Sequence, residues 1–95
     1  MAARIVVDAS LPGRVAAGLA AAGFEVVDGG DAELAVVSLA GLAGLRGDRA
    51  ALRAVVVAEP GDAVAAFDAG ADDVVGPRID PAELAARVHA ILRRA

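Results

Sequence analysis

The chain has no cysteine, tryptophan, tyrosine or lysine, and one histidine, His89. Without cysteine there is no disulfide, no thiolate metal site and no cysteine nucleophile. A lone histidine excludes a His-rich zinc site and leaves a Ser-His-Asp triad without support. No paired acids stand in catalytic spacing either, so no enzymatic activity, metal or cofactor is expected. No apolar run approaches the ~20 residues of a membrane-spanning helix, and no membrane association is expected. Near the start, Arg4 leads a short apolar run closed by Asp8, which is no signal peptide; a cytoplasmic location is the expectation.

The balance of charge is equally restrictive. Nine basic residues, all arginine, face 13 acids for a net charge of −4. Four arginines (Arg78, Arg87, Arg93, Arg94) lie near the end, and that is no footprint for nucleic acid, so direct nucleic-acid binding is not expected. What is present is aliphatic: 58% of the chain is hydrophobic, with two phenylalanines as the only aromatics. Ala, Val and Leu must fill the interior, which suits close helix–sheet packing. Residues 1–95 make one domain with room for one core.

In order, Arg4 to Val7 reads as a central parallel strand. Ser10 is an N-cap candidate and Pro12 suits the first turn of a helix over 11–22, with Val15 and Leu19 facing the sheet and Gly23 ending it. Gly13 and Gly18 weaken that helix by up to ~1 kcal/mol each relative to alanine. Gly13 to Gly18 has the spacing of a phosphate loop, but no Lys-Ser/Thr follows, and small residues packing on the sheet explain it better. Further strands are expected at 24–27, 34–39 and 54–58. A poor helix is expected over 42–53, interrupted by Gly41, Gly44 and Gly47 and restarted at Asp48. Asp62 is placed to cap a helix ending at Ala69, with Gly70 in the left-handed position beyond it. A short strand at 73–75 is broken by Gly76-Pro77. Asp80 then caps a last helix with Pro81 at its first position and Glu83 where a capping box puts its acid; Leu84, Val88, Ile91 and Leu92 recur at helical spacing. His89 falls on that helix as a partly exposed residue. Strands alternating with helices imply right-handed crossovers and a parallel sheet.

The closing third carries a resemblance. Ala69-Gly70-Ala71-Asp72-Asp73, then Asp80-Pro81-Ala82-Glu83-Leu84-Ala85-Ala86-Arg87-Val88, then Leu92-Arg93-Arg94, resemble the end of the receiver domain of bacterial response regulators. The resemblance implies an α/β, flavodoxin-like three-layer sandwich with a five-stranded parallel sheet in the order 2-1-3-4-5. One departure is plain. Residues 28–33 alone join strands two and three, where the family has a helix; helix 2 is expected to be missing or reduced to a turn, and helix 3 to be short.

A working receiver holds Mg²⁺ with two acids after its first strand and phosphorylates an aspartate at the end of its third. A Thr or Ser after the fourth and a Lys after the fifth read and neutralise the phosphate. Carried over by position, Asp8 matches the first acid, and the second falls on Ala9. The phosphoacceptor falls on Ser38, the switch hydroxyl on Ala58 and the lysine on Gly76 or Pro77. Magnesium wants several oxygens, and phosphoryl transfer needs charge neutralisation; neither set is present. The resemblance therefore narrows to degenerate pseudo-receivers that keep the fold and drop the phosphorylation. Ser38 is read as a small polar residue in place of the acid, with Asp8 a partner for its hydroxyl and for nearby N–H groups; a kinase-modified serine is the other reading.

In transcription-factor receivers, the elements the family numbers helix 4, strand 5 and helix 5 (here 62–69, 73–75 and 80 onward) form a symmetric dimer face with charged cross-pairs. By position Asp72, Asp73, Glu83, Arg87 and Arg94 match that set, while Ala63 stands where a basic partner for Glu83 belongs. Neither Asp72 nor Asp73 can cap a helix that ends at Gly70, which favours the interface reading. The expected function is a non-phosphorylatable signalling module, in transcriptional or two-component regulation, that forms a homodimer or docks on another signalling protein. The alternative is a sensor in which Arg78 and the loops at the strand C-ends bind a small anion, a nucleotide or cyclic dinucleotide.

Overall fold

A computed structural model describes residues 2–48 and 51–94. Five strands, β1 (Arg4–Val7), β2 (Glu25–Val27), β3 (Leu34–Ser38), β4 (Arg53–Val57) and β5 (Asp73–Val75), form one parallel sheet in the order β2-β1-β3-β4-β5. Helices α1 (Gly13–Ala21) and α4 (Pro81–Leu92) cover one face; α2 (Leu39–Asp48) and α3 (Ala63–Asp68) cover the other. The flavodoxin-like three-layer sandwich expected from the sequence is the fold observed.

The central strands show why. In β3 the side chains alternate between two cores: Leu34 and Val36 join Val15, Leu19, Leu84, Val88 and Ile91 beneath α1 and α4, while Ala35 and Val37 join Leu42 and Ala66 beneath α2 and α3. A strand buried on both sides cannot alternate apolar with polar, hence its unbroken apolar sequence.

No helix separates β2 from β3, as expected. Six residues suffice because β2 is short. Val27 pairs with Val6 of β1 and Leu34 with Ile5, so the connection retreats by about one residue while crossing β1. Arg4 ties it down: its N–H donates to the Glu33 carboxylate at 3.0 Å and its guanidinium pairs with Asp31 at 3.1 Å.

Helix ends account for most differences from expectation. Gly23 (φ +99°) and Gly70 (φ +104°) adopt the left-handed conformation that ends α1 and α3. Asp80 caps α4, accepting from the Ala82 N–H at 2.8 Å, but Glu83 turns to Arg87. Ser10 is not the cap of α1. Its N–H donates to Asp8 Oδ1 at 2.9 Å, drawing the chain into a turn, and the helix begins two residues later than expected with Pro12 in the cap position and no side-chain cap. Asp62 occupies the cap position of α3 without a side-chain bond, because a 3-10 turn over Pro60–Asp62 precedes it. Helix α2 starts at Leu39, directly on the end of β3, three residues earlier than expected; residues 49 and 50 of the expected helix lie outside the described residues.

Candidate functional site

The C-terminal ends of β1 and β3 are neighbours, and this brings Asp8 and Ser38 together. The Ser38 hydroxyl donates to Asp8 Oδ2 at 2.7 Å and the Ser38 N–H reaches the same oxygen at 3.1 Å. The Ser38 oxygen also accepts from the Gly41 N–H at 3.0 Å. Ser38 thus stands at the N-cap of α2, and this is why the helix starts there without a loop. A serine hydroxyl has one proton to give, and here it goes to Asp8.

Asp8 is correspondingly occupied. Oδ1 accepts from Ser10 and Oδ2 accepts twice from Ser38. Burial acts to raise its pKa, but the hydrogen bonds from Ser10 and Ser38 outweigh it and hold the carboxyl at about 2, below the usual 3.8. Gly41 closes the cluster: a Cβ there would run into Asp8 Oδ2 and stand 3.2 Å from Ser38 Oγ. The α2 backbone lies against the carboxylate where a larger residue would not fit.

The remaining pocket positions bring no chemistry to this point. Ala9 is exposed in the turn after β1. Ala58 follows β4, its N–H donating to the Val75 carbonyl at 2.9 Å. Gly76 and Pro77 follow β5, where the Arg14 guanidinium of α1 donates to the Pro77 carbonyl. Magnesium, which the fold's relatives imply, does not fit this donor set. One carboxylate whose oxygens already face three N–H and O–H donors is a poor start on an octahedron of oxygens.

The charged set near the chain's end divides in two. Arg87 bridges Asp73 at 3.2 Å and Glu83 at 3.0 Å, and both acids raise its pKa further. Asp72, by contrast, points inward: its Oδ2 accepts from the Ala54 N–H at 2.8 Å and lies 3.9 Å from Arg46. Arg46 donates to the Leu52 and Gly70 carbonyls at 2.6 and 2.7 Å, lacing α2 to the chain that enters β4 and the chain that leaves α3. Asp72 therefore has a structural task that its position in sequence concealed. The Arg94 carbonyl accepts from Arg53 at 2.9 Å. His89 is exposed, with its ring 4.5 Å from that of Phe24.

Sequence reasoning missed one surface. Val64 and Phe67 on α3 are 73% and 51% exposed. Their spacing of three, beside Ala63 and Ala66, places both on the outer side of a short helix, and that spacing was the available signal.

The architecture defines a doubly wound parallel α/β domain with its cluster at the strand C-ends. More narrowly, it is the receiver fold. An orphan response regulator of H. pylori superposes with a TM-score of 0.72 at 23% identity, covering 96% of this chain and 97% of that one. A CheY-like receiver domain protein from Methanospirillum hungatei JF-1 gives 0.77 at 18% identity, covering 97% and 94%. The receiver domain of TorR, a response regulator of a TMAO respiratory system, gives 0.77 at 20%, covering 95% and 96%. No protein-family model and no curated protein matches the chain. Among the described residues no helix is long and apolar enough to cross a membrane.

Proposed function

We propose that this chain is a signalling module of the response-regulator type that works by protein–protein contact, without aspartyl phosphorylation. One observation carries the reading: where such a fold phosphorylates an aspartate, this chain has Ser38, whose hydroxyl is bonded to Asp8 and caps α2. The Asp8 carboxylate faces hydrogen-bond donors on both oxygens, as a bound anion would, and holds the β1 and β3 ends together.

Incubation with acetyl phosphate and Mg²⁺, followed by intact mass, tests this. No added phosphate is the expected result. A stoichiometric gain mapped to Asp8 overturns the reading. Beryllofluoride with magnesium tests the same point without turnover: both bound beside Asp8 would overturn it as well.

Contact is assigned to the face of α3, β5 and α4. In its support, Arg87, Asp73 and Glu83 form a charged cluster on β5 and α4, and α3 exposes an apolar pair. The ion pairs, exposed and worth ~0–1 kcal/mol each, set register; apolar contact supplies affinity. A homodimer and a different signalling protein are the two kinds of occupant, and the role assigned to the module is in transcriptional or two-component control.

A further inference from the structure

The chemistry of the surface around α3 selects between those occupants. Val64 and Phe67 are the two most exposed large apolar side chains among the described residues. Flanking them in sequence are Glu59, Asp62 and Asp68, all exposed and with no side-chain hydrogen bond or ion pair among the described residues. From 54 to 77 the sequence has no basic residue. The two acids at the entry to β5 are already held, Asp72 by the Ala54 N–H and Arg46, Asp73 by Arg87. Neighbouring cations are engaged elsewhere: Arg46 holds the Leu52 and Gly70 carbonyls, and Arg87 holds Asp73 and Glu83. The surface is an apolar pair flanked by three acids, Glu59, Asp62 and Asp68, that make no ion pair among the described residues.

We infer that this surface seats a basic amphipathic helix of a partner protein, with two or three aliphatic side chains over Val64 and Phe67 and Arg or Lys facing Glu59, Asp62 and Asp68. The inference rests on the docking reading above and names its partner. A second copy fits poorly, because a two-fold contact centred on α3 brings one acid-flanked patch against another, between chains that each carry a net charge of −4. Apolar residues at i, i+3 and i+4 form one stripe of a partner helix, which matches a patch one short helix wide. Apolar anchors supply the affinity. The acid rim supplies rate and selectivity, and it weakens with salt.

The test uses the whole chain and three fluorescent peptides of about 18 residues. One is a designed helix with leucines on one face and Lys/Arg on the others, the second is its scramble at the same charge, and the third has Glu in place of the basic residues. The basic helix is expected to bind at least roughly tenfold tighter than either control, and Phe67→Ser with Val64→Ser is expected to weaken it by roughly tenfold. Equal binding of helix and scramble reports charge alone and overturns the inference. So does binding that survives Phe67→Ser with Val64→Ser. Sedimentation on the same samples separates the other occupant: a dimer that the double variant dissolves makes the second copy the occupant, which overturns this inference and leaves the docking reading standing. The phosphodonor assay, which involves none of these residues, fails or succeeds independently.

Discussion

The two faces of the sheet are built to different standards. Beneath α1 and α4, Ile5, Leu19, Leu34, Val36, Val88 and Ile91 are almost completely buried, and the helices approach closely enough that Gly18 lies against Pro81. No helix lies between β2 and β3 to add to the opposite face. Its α2 carries three glycines, and its six-residue α3 turns Val64 and Phe67 to solvent. The second face has a core of its own, with Leu42, Val56 and Ala66 fully buried, but its helices propagate poorly and leave apolar surface in water. At the junction of the two faces, Asp8 and Ser38 tie β1 to the start of α2.

The largest expected effect breaks the first face. Leu19→Ala removes a buried side chain from the contact of α1 with the sheet and is expected to cost about 2–5 kcal/mol, a large part of the stability of so small a domain. Urea unfolding measures it. A cost below about 1 kcal/mol, typical of surface sites, would erase the asymmetry between the faces.

Next is the tie between them. The folded state depresses the Asp8 pKa to about 2, so it favours the carboxylate. The stability this provides is complete above about pH 4 and is lost as the pH falls toward 2. In Asp8→Asn one carboxylate oxygen becomes an NH₂ group facing an N–H donor of Ser10 or Ser38, at a cost of about 1–3 kcal/mol at neutral pH. Denaturant midpoints of the two proteins are expected to converge as pH drops through that window. A gap that stays constant down to pH ~2 would remove the carboxylate's charge from the account.

Which parts were legible follows the physics. The strand order, the absent helix, and the stops at Gly23 and Gly70 could all be read, because buried parallel strands need unbroken apolar runs and left-handed positions need glycine. The Asp80 cap was legible because capping is local. Three features were not. Ser38 as the cap of α2 was hidden because strand and helix meet with no intervening turn residues, so one residue closes the strand and opens the helix. Ser10 looked like a cap, but Asp8 two residues earlier claims its N–H. The Asp72 bond to Ala54 spans 18 residues, and no local pattern announces it. At the site, the sequence indicated that Asp8 and Ser38 meet and that the usual acids are missing; it did not show that Gly41 closes over them.

A smaller, sharper comparison uses one substitution on both faces. At Gly44 of α2 an added Cβ meets nothing within 4 Å, so Gly44→Ala adds helix propensity without contact and is expected to stabilise by about 0.5–1 kcal/mol. At Gly18 of α1 the same Cβ would stand 2.9 Å from the Pro81 Cβ, so Gly18→Ala must move α4 and is expected to lose stability despite the same gain in propensity. Thermal midpoints of the pair give the signs. Two increases in Tm would mean that α1 and α4 pack no more tightly than the outer helices.

The smallest effect on stability is expected at Val64, within the proposed docking surface. Phe67 is 51% exposed and Val64 73%, outside the cluster that Ala66 and Leu42 form beneath them. Replacing Val64 with serine removes surface that folding leaves mostly in water, so the free energy of unfolding is expected to change by no more than about 0.5 kcal/mol. A residue kept for packing shows the opposite: truncation costs stability in proportion to the area it buries, which for the half-buried Phe67 means about 1–2 kcal/mol. Urea unfolding of Val64→Ser beside Phe67→Ser gives the order. A Val64→Ser loss above about 1 kcal/mol would place that side chain in the fold's own core and take from the second face the spare apolar surface on which partner docking depends.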